Sequence, residues 1–282
     1  MLAVLCALGS SLMYSLASVL QQRGAAAEAP EHSLTLGLLV RLARNRGWMV
    51  GLVCDGAAYV LQFIALGHGP IVVVQPLLVC GLLFALPIGA AWAGRHLHPG
   101  DWLGAVLVCI GLAMFLTVAR PAAGRDNAPP SVWIALLVAD VGVTAALVAA
   151  SFGRDVRLRA VLLSGAAGVI YGAAAALTKT TSHLLGKGVV HTAVHWQPYM
   201  LIVVAVVGMV LGQSAFQAGT LDVSLPTMTV VDPVVSIAIG ALAFHERIAA
   251  DPVAVIAEVL GLAIMSVGVF MLARVEATTG VG

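Results

Sequence analysis

Long apolar runs separated by short polar breaks dominate this chain. Polar residues, Gly and Pro divide its 282 residues into nine runs, at about 2–22, 48–67, 70–93, 102–119, 131–152, 159–179, 199–219, 223–244 and 253–273. Each is close to the roughly 20 residues that an α-helix needs to cross a bilayer. Because backbone groups in lipid must be paired within their own segment, the pattern predicts an all-α, polytopic membrane bundle of about nine transmembrane helices.

Composition excludes several other classes of protein. The chain is 61% hydrophobic and 10% charged, whereas soluble domains average about 45–50% and 25%. A net charge of +1 without a long basic run argues against nucleic-acid binding. The four cysteines lie inside apolar runs without metal-ligand spacing, so neither disulfides nor a cofactor are expected. The loops are short, and residues 1–282 are therefore expected to form a single transmembrane domain.

Basic residues predict the orientation of the spans. The first run, 2–20, lacks a basic leader and is expected to be retained as a span. Nine spans place the chain ends on opposite sides of the membrane, with nine Lys or Arg residues on one side and five on the other. This bias favours an N-terminus outside and a C-terminus inside the cytoplasmic (plasma) membrane. Residues 180–198 are broken by Gly, His and Lys and are expected to lie in the interface.

The chain contains a weak internal repeat. Its matching positions share an offset of 157 residues in three cases: Tyr14 with Tyr171, Gly104 with Gly261, and Gly111 with Gly268. In the same order, Gln62 corresponds to Gln213. The pattern predicts that spans one to four (about 1–120) recur as spans six to nine (about 153–282). A single linker span (about 121–152) would force the second copy to be inverted, as in many transporters.

One stretch resembles a known superfamily. It contains Gln213-Ser-Ala-Phe-Gln217, Ser224-Leu-Pro226, Asp232-Pro233 and His245-Glu246-Arg247-Ile248, followed by Gly261 and Gly268. These residues are similar to the ending of the drug/metabolite transporter superfamily (EamA-like), in which a Pro-containing helix leads to a Glu-Arg turn and a Gly-spaced helix. Four spans, a linker and four more resemble most closely the NIPA-like magnesium transporter branch. The resemblance implies inverted repeats and a transport function.

Three acids lie near the middle of apolar runs: Asp55, Asp140 and Asp232. An ionisable group at the centre of a span costs roughly 2.5–3.5 kcal/mol on insertion scales, so such groups usually face a cavity or an ion path. The alternative for each is a structural acid that is hydrogen-bonded inside the bundle.

Other polar residues extend this candidate pathway. Asp55, Tyr59 and Gln62 are spaced i, i+4 and i+7, which predicts one inward helical face. The repeat would place Gln213 opposite that face and pair Tyr14 with Tyr171. The further candidates, which could also be simple interhelical hydrogen-bond partners, are Gln217 and Gln75, which precedes Pro76.

The Asp232-Pro233 pair suggests how an ion could be held. Proline leaves a carbonyl of the preceding turn without its helical partner, so a carboxylate and a free backbone oxygen come together. Oxygen ligands suit Mg²⁺, with Asp55 and Asp232 as the candidate ligands. A proton would need a single carboxylate, and a kink that only serves packing is the structural alternative.

These observations favour a transporter that moves a small solute or a cation through a cavity at the repeat interface, by alternating access. A NIPA-like Mg²⁺ permease is the narrower alternative. A membrane enzyme acting on lipid-linked substrates is less favoured, since the short loops gather no acids, His or Ser beside basic residues, and the chain is expected not to be an enzyme. Membrane lipids and the substrate are the expected partners, and homo-oligomerisation is left open.

Overall fold

The chain folds as a bundle of α-helices. A computed structural model describes residues 2–68, 77–78, 80–92, 94, 96–119, 127–244 and 252–279. Within these ranges there is no strand. The helices are α1 (Leu2–Ala26), α2 (Leu36–Leu42), α3 (Arg46–His68), α4 (Gly81–Trp92), α5 (Pro99–Ala119), α6 (Pro130–Ser151), α7 (Val156–Gly186), α8 (Val189–Ala193), α9 (Gln197–Ala218), α10 (Leu221–Ala243) and α11 (Pro252–Thr279), with a 3₁₀ turn at Pro30–His32.

The long helices have the length and surface of membrane spans. Five segments within the described residues are long and apolar enough to cross a bilayer, and three shorter apolar segments lie in α4, α5 and α11. Val138 and Ile202 expose more than 60% of their surface. Soluble proteins rarely expose contiguous apolar surface on this scale, whereas lipid covers it without cost. The fold is a polytopic helical membrane bundle.

The helix bounds follow the apolar runs, with two differences. Helix α4 covers only the second part of the run at 70–93, because residues 69–76 lie outside the described residues. The segment 180–198 was expected to be non-spanning throughout, but α7 continues to Gly186. A glycine pair separated by Lys187 ends the helix, and only the short α8 follows before α9.

Two groups of three helices have the same arrangement. Helix α1 packs between α3 and α4, and α7 packs between α9 and α10. Small residues allow the close approach: the Ser15 hydroxyl donates to the Gly81 carbonyl at 2.6 Å, and a Cβ at Gly168 would lie 2.7 Å from Cβ of Val231. Helix packing in lipid depends on such small residues and on interhelical hydrogen bonds.

Helices α5 and α11 touch through their backbones. A Cβ added at Gly104 would lie 3.0 Å from the Gly268 carbonyl oxygen, and one at Gly268 would lie 2.7 Å from the Gly104 oxygen. Gly111 and Gly261 approach one another in the same reciprocal way, at 2.6 and 2.8 Å. The two helices are therefore antiparallel and in contact without intervening side chains.

One end of the bundle, called here the basic end, carries the described arginines Arg23, Arg41, Arg44, Arg46, Arg154, Arg157 and Arg159. Residues 27–45, the docked segment, connect α1 to α3 at this end, and Leu38 and Leu42 on α2 are fully buried there. Residues 187–196, the open segment, connect α7 to α9 at the opposite end. Its valines Val189, Val190 and Val194 expose 73%, 82% and 76% of their surface.

Candidate functional site

Four polar side chains from four helices meet inside the bundle. They are Tyr14 on α1, Asp55 on α3, Tyr171 on α7 and Asp232 on α10, and together they are called the central site. Both carboxyl groups act electrostatically on both tyrosine hydroxyls, and the two hydroxyls act on each other. The structure thus brings together residues that are far apart in the sequence and belong to both halves of the chain.

The central site lies at one depth in the bundle. Asp55 is nine residues after the start of α3 and Asp232 is eleven after the start of α10, and both helices begin at the basic end. At about 1.5 Å rise per residue, both carboxyl groups lie roughly 14–17 Å from that end, which is near the middle of a hydrocarbon core about 30 Å thick.

The site is surrounded by protein but still accessible. Tyr14 exposes 38% of its surface. Asp55, Tyr171 and Asp232 are half-buried. The four side chains are therefore neither fully buried nor fully exposed, so they remain within reach of molecules that enter the bundle.

Glycines place one of the tyrosines. The Tyr171 hydroxyl donates to the Gly208 carbonyl at 3.0 Å, and its ring fills the space beside Gly208 and Gly212 on α9. A Cβ at Gly212 would lie 2.6 Å from the Tyr171 oxygen. Tyr171 is therefore held in place by α9.

Uncharged groups stabilise the two carboxylates. Ser236, one turn further along α10, donates to Asp232 Oδ1 at 3.1 Å, and the amide of Gln21 acts on Asp55. Because Pro233 has no backbone N–H, the carbonyl of Thr229 has no helical donor. The central site therefore combines two acids and two phenols, with a proline directly after one of the acids.

A chain of buried hydrogen bonds lies between the central site and the basic end. The Trp48 indole donates to Gln213 Oε1 at 2.9 Å, and Gln213 Nε2 donates to Gln21 Oε1 at 2.8 Å. All three residues are at most 5% exposed. We call Trp48, Gln213 and Gln21 the indole–amide chain, and it joins α1 and α3 to α9.

Four further hydrogen bonds join the two halves at the same end. They are Gln22 Nε2 to the Gly219 carbonyl (3.3 Å), Leu34 N to Ser214 Oγ (2.9 Å), and Gln217 Nε2 to the carbonyls of Glu28 (3.1 Å) and Ala29 (2.8 Å). With the docked segment packed above them, these bonds close the basic end of the bundle.

The remaining predicted site residues lie elsewhere. Gln62 is half-buried on the same face of α3 as Asp55, but Tyr59 lies at the edge of that face and is 59% exposed. Asp140 on α6 is 8% exposed, and its Oδ1 has no hydrogen-bond partner. Gln217 holds the docked segment, as described above. Gln75 lies outside the described residues.

Sequence reasoning does not single out Gln21 or Trp48. Trp48 stands at the start of a span, where tryptophan is usual at the membrane interface, and Gln21 follows the repeat motif that begins at Tyr14. The one available signal was that Gln21, like Gln213, is a glutamine within an apolar run. Paired amides are common interhelical contacts.

The arrangement suits a hydrated cation better than a bare one. Among the described residues, no three His, Cys, Asp or Glu side chains come together as a ready metal cage. Mg²⁺ usually keeps several waters and uses only one or two carboxylates. Asp55 and Asp232, at about the same depth, supply that number of carboxylates.

Comparison with known proteins connects the chain to one relative over its whole length. It is 30% identical over 275 residues to an uncharacterized protein of Corynebacterium glutamicum, covering 97% of this chain and 95% of that protein. The chain belongs to the family of this corynebacterial protein. It is also 29% identical over 131 residues to probable magnesium transporter NIPA9 of Arabidopsis thaliana, covering 44% of this chain and 36% of that protein. No protein-family model matches the chain, and no solved structure matches it.

Proposed function

We propose that the chain is a membrane transporter of the drug/metabolite transporter type that moves a divalent cation, with Mg²⁺ as the first candidate, through the central site. The observation that carries the proposal is the clustering of Asp55 and Asp232 with two tyrosines at mid-depth, within range of electrostatic interaction. Acids at that depth are expensive to insert and usually serve a pathway. The partial similarity to probable magnesium transporter NIPA9 supports a cation as the substrate.

The proposed architecture is a pair of inverted repeats. Under an offset of 157 residues, the contact between Gly104 and Gly268 corresponds to the contact between Gly261 and Gly111. A pseudo-two-fold axis in the membrane plane, between α5 and α11, would account for this reciprocity. The matched packing of α1 with α3 and α4, and of α7 with α9 and α10, supports the same relation.

In the proposed mechanism, this conformation is closed at the basic end and open at the other. Six hydrogen bonds between the two halves support the closure. If the N-terminus is outside, the basic end faces the cytoplasm, and the central site is open to the exterior. Rocking of the halves would then break these bonds and deliver the cation inward.

The test is Mg²⁺ uptake into proteoliposomes, with Asp55→Asn and Asp232→Asn compared with the parent chain. Asn keeps the size and some hydrogen bonding of Asp while removing the charge that holds a cation. We expect both variants to lose uptake and to lose the rise in melting temperature that a bound ligand produces. Na⁺, other divalent cations and a proton gradient are run in parallel to define the substrate.

Asp140→Asn is the matched control, since it removes a buried acid of α6 outside the central site. We expect this variant to transport at the parent's rate. Normal folding and normal uptake of all three variants would refute the proposal, as would uptake lost in the Asp140 variant alone.

A further inference from the structure

The indole–amide chain has a fixed direction. An indole nitrogen can only donate a hydrogen bond, whereas a glutamine amide presents an acceptor on one side and donors on the other. Trp48 therefore requires Gln213 to present Oε1, which turns Gln213 Nε2 toward Gln21. Gln21 must in turn present its own Oε1 to Gln213. The orientation of both amides is thus set by the indole.

The last donor of the chain has no ordinary partner. Gln21 Nε2 is buried and lies outside hydrogen-bond geometry to any acceptor. The Gln21 side chain lies against α3 one turn before Asp55, since a Cβ added at Gly51 would be 3.1 Å from Gln21 Cγ. A buried, unpaired donor is costly unless a nearby acceptor satisfies it, at least in part. The carboxylate of Asp55, one turn beyond Gly51 on α3, would supply that acceptor after a small closure of the helices.

We propose that Trp48 is a positioning residue for the central site: through Gln213 it holds Gln21 so that an N–H donor, and not the amide oxygen, faces Asp55. The inference deepens the proposed function, since it concerns one of its two acids. Trp48 contacts no substrate, and its effect is transmitted only by the two amides. With the indole N–H removed, both amides could turn over, and the oxygen of Gln21 could face the carboxyl group.

The test reads the hydrogen bonding of Asp55 directly. Infrared difference spectra are recorded on the purified, Mg²⁺-free protein at low pH, and Asp55→Asn identifies the C=O stretching band of the Asp55 carboxyl group. Loss of a donor to this group moves the band to higher frequency. We expect that upward shift in Trp48→Phe, which keeps an aromatic ring but has no N–H.

Trp133→Phe is the matched control. Trp133 is also buried, at 3% exposure, and its indole also donates to a side-chain amide, Asn127 Oδ1, at 2.9 Å. It lies on α6, so its replacement loses the same kind of bond without touching the indole–amide chain. We expect the Asp55 band to stay in place. An equal shift in both variants would mean general loosening and would overturn the proposal.

Two more variants keep the test decisive if Trp48→Phe does not fold. Gln21→Met removes the donor itself, and Gln213→Met removes the link while leaving Trp48 and Gln21 intact. Both should shift the band upward. A shift in Gln21→Met alone would overturn the positioning role of Trp48, and an unmoved band in all folded variants would overturn the whole inference. Because no transport is measured, these outcomes are separate from the failure of the proposed cation transport.

Discussion

The docked segment and the open segment each follow the middle helix of a three-helix group, yet they pack against the bundle to different extents. The open segment contacts it through Trp196, whose ring centroid lies 5.5 Å from that of Trp133. Residues 27–45 bury Leu38 and Leu42 completely and receive two hydrogen bonds from Gln217. In residues 187–196 the valines are exposed, and the described hydrogen bonds remain local, such as Thr192 Oγ1 to the Gly188 carbonyl. Since both segments connect helices that pack in the same way, the difference in docking supports the proposal that the basic end is the closed one.

Stability should separate the two segments most strongly. We expect Leu38→Ala to destabilise the protein by about 2–5 kcal/mol, because it removes buried methyl groups and leaves a cavity. Val190→Ala should change stability by no more than about 0.5 kcal/mol, as for other exposed positions. Thermal unfolding of both variants in the same detergent measures the contrast. Equal destabilisation would mean that the open segment is also docked in solution.

The second largest contrast should be in the rate at which a thiol reagent reaches the two segments. In a background with the four native cysteines replaced by alanine, Leu38→Cys should react with an impermeant maleimide about tenfold or more slowly than Val190→Cys, because a buried thiol reacts only after local opening. In intact cells only Val190→Cys should be labelled if the N-terminus is outside. Labelling of Val190→Cys only in inverted vesicles would show that the N-terminus is inside. Fast labelling of Leu38→Cys would contradict a closed basic end.

Single hydrogen bonds should give the smallest contrast. Ser214→Ala removes the acceptor of Leu34 N in the docked segment and should cost about 0.5–1.5 kcal/mol, the usual net value of a partly buried bond. Tyr199→Phe removes the exposed bond to the Ala193 carbonyl beside the open segment and should cost close to nothing. The same unfolding assay measures both, and a larger loss in Tyr199→Phe would contradict the comparison.

Much of the fold can be predicted from the sequence because lipid imposes simple requirements. A span must be apolar over a fixed length, so the runs lead directly to helices such as α6 at Pro130–Ser151. The polar residues Lys179, Ser182 and His183 indicate the end of an apolar run, but polar residues do not by themselves end a helix. Polarity therefore could not predict that α7 continues to Gly186. Gly186 and Gly188 do, because glycine favours helix ends over helix interiors.

Only part of the central site could be predicted from the sequence. Acids within apolar runs are easily recognised as candidate site residues, and the repeat indicates both tyrosines. The indole–amide chain could not be foreseen, since its bonds join residues 165 and 192 positions apart, and no local period reports such contacts. Tyr59 shows what helical spacing alone cannot predict. The i+4 position falls at the edge of the buried face of α3, where a small rotation of the helix decides whether a side chain points inward.

The four glycines at which α5 and α11 touch also prevent molecules from passing between these two helices. At Gly111 and Gly261 there is no space for even one methyl group between the two backbones, and a water molecule or a lipid methylene needs at least as much. The seam between these helices is therefore leak-tight at two heights, and it needs no side chain to seal it. A membrane containing this protein therefore keeps its electrical resistance along the α5–α11 seam in every conformation that preserves those contacts.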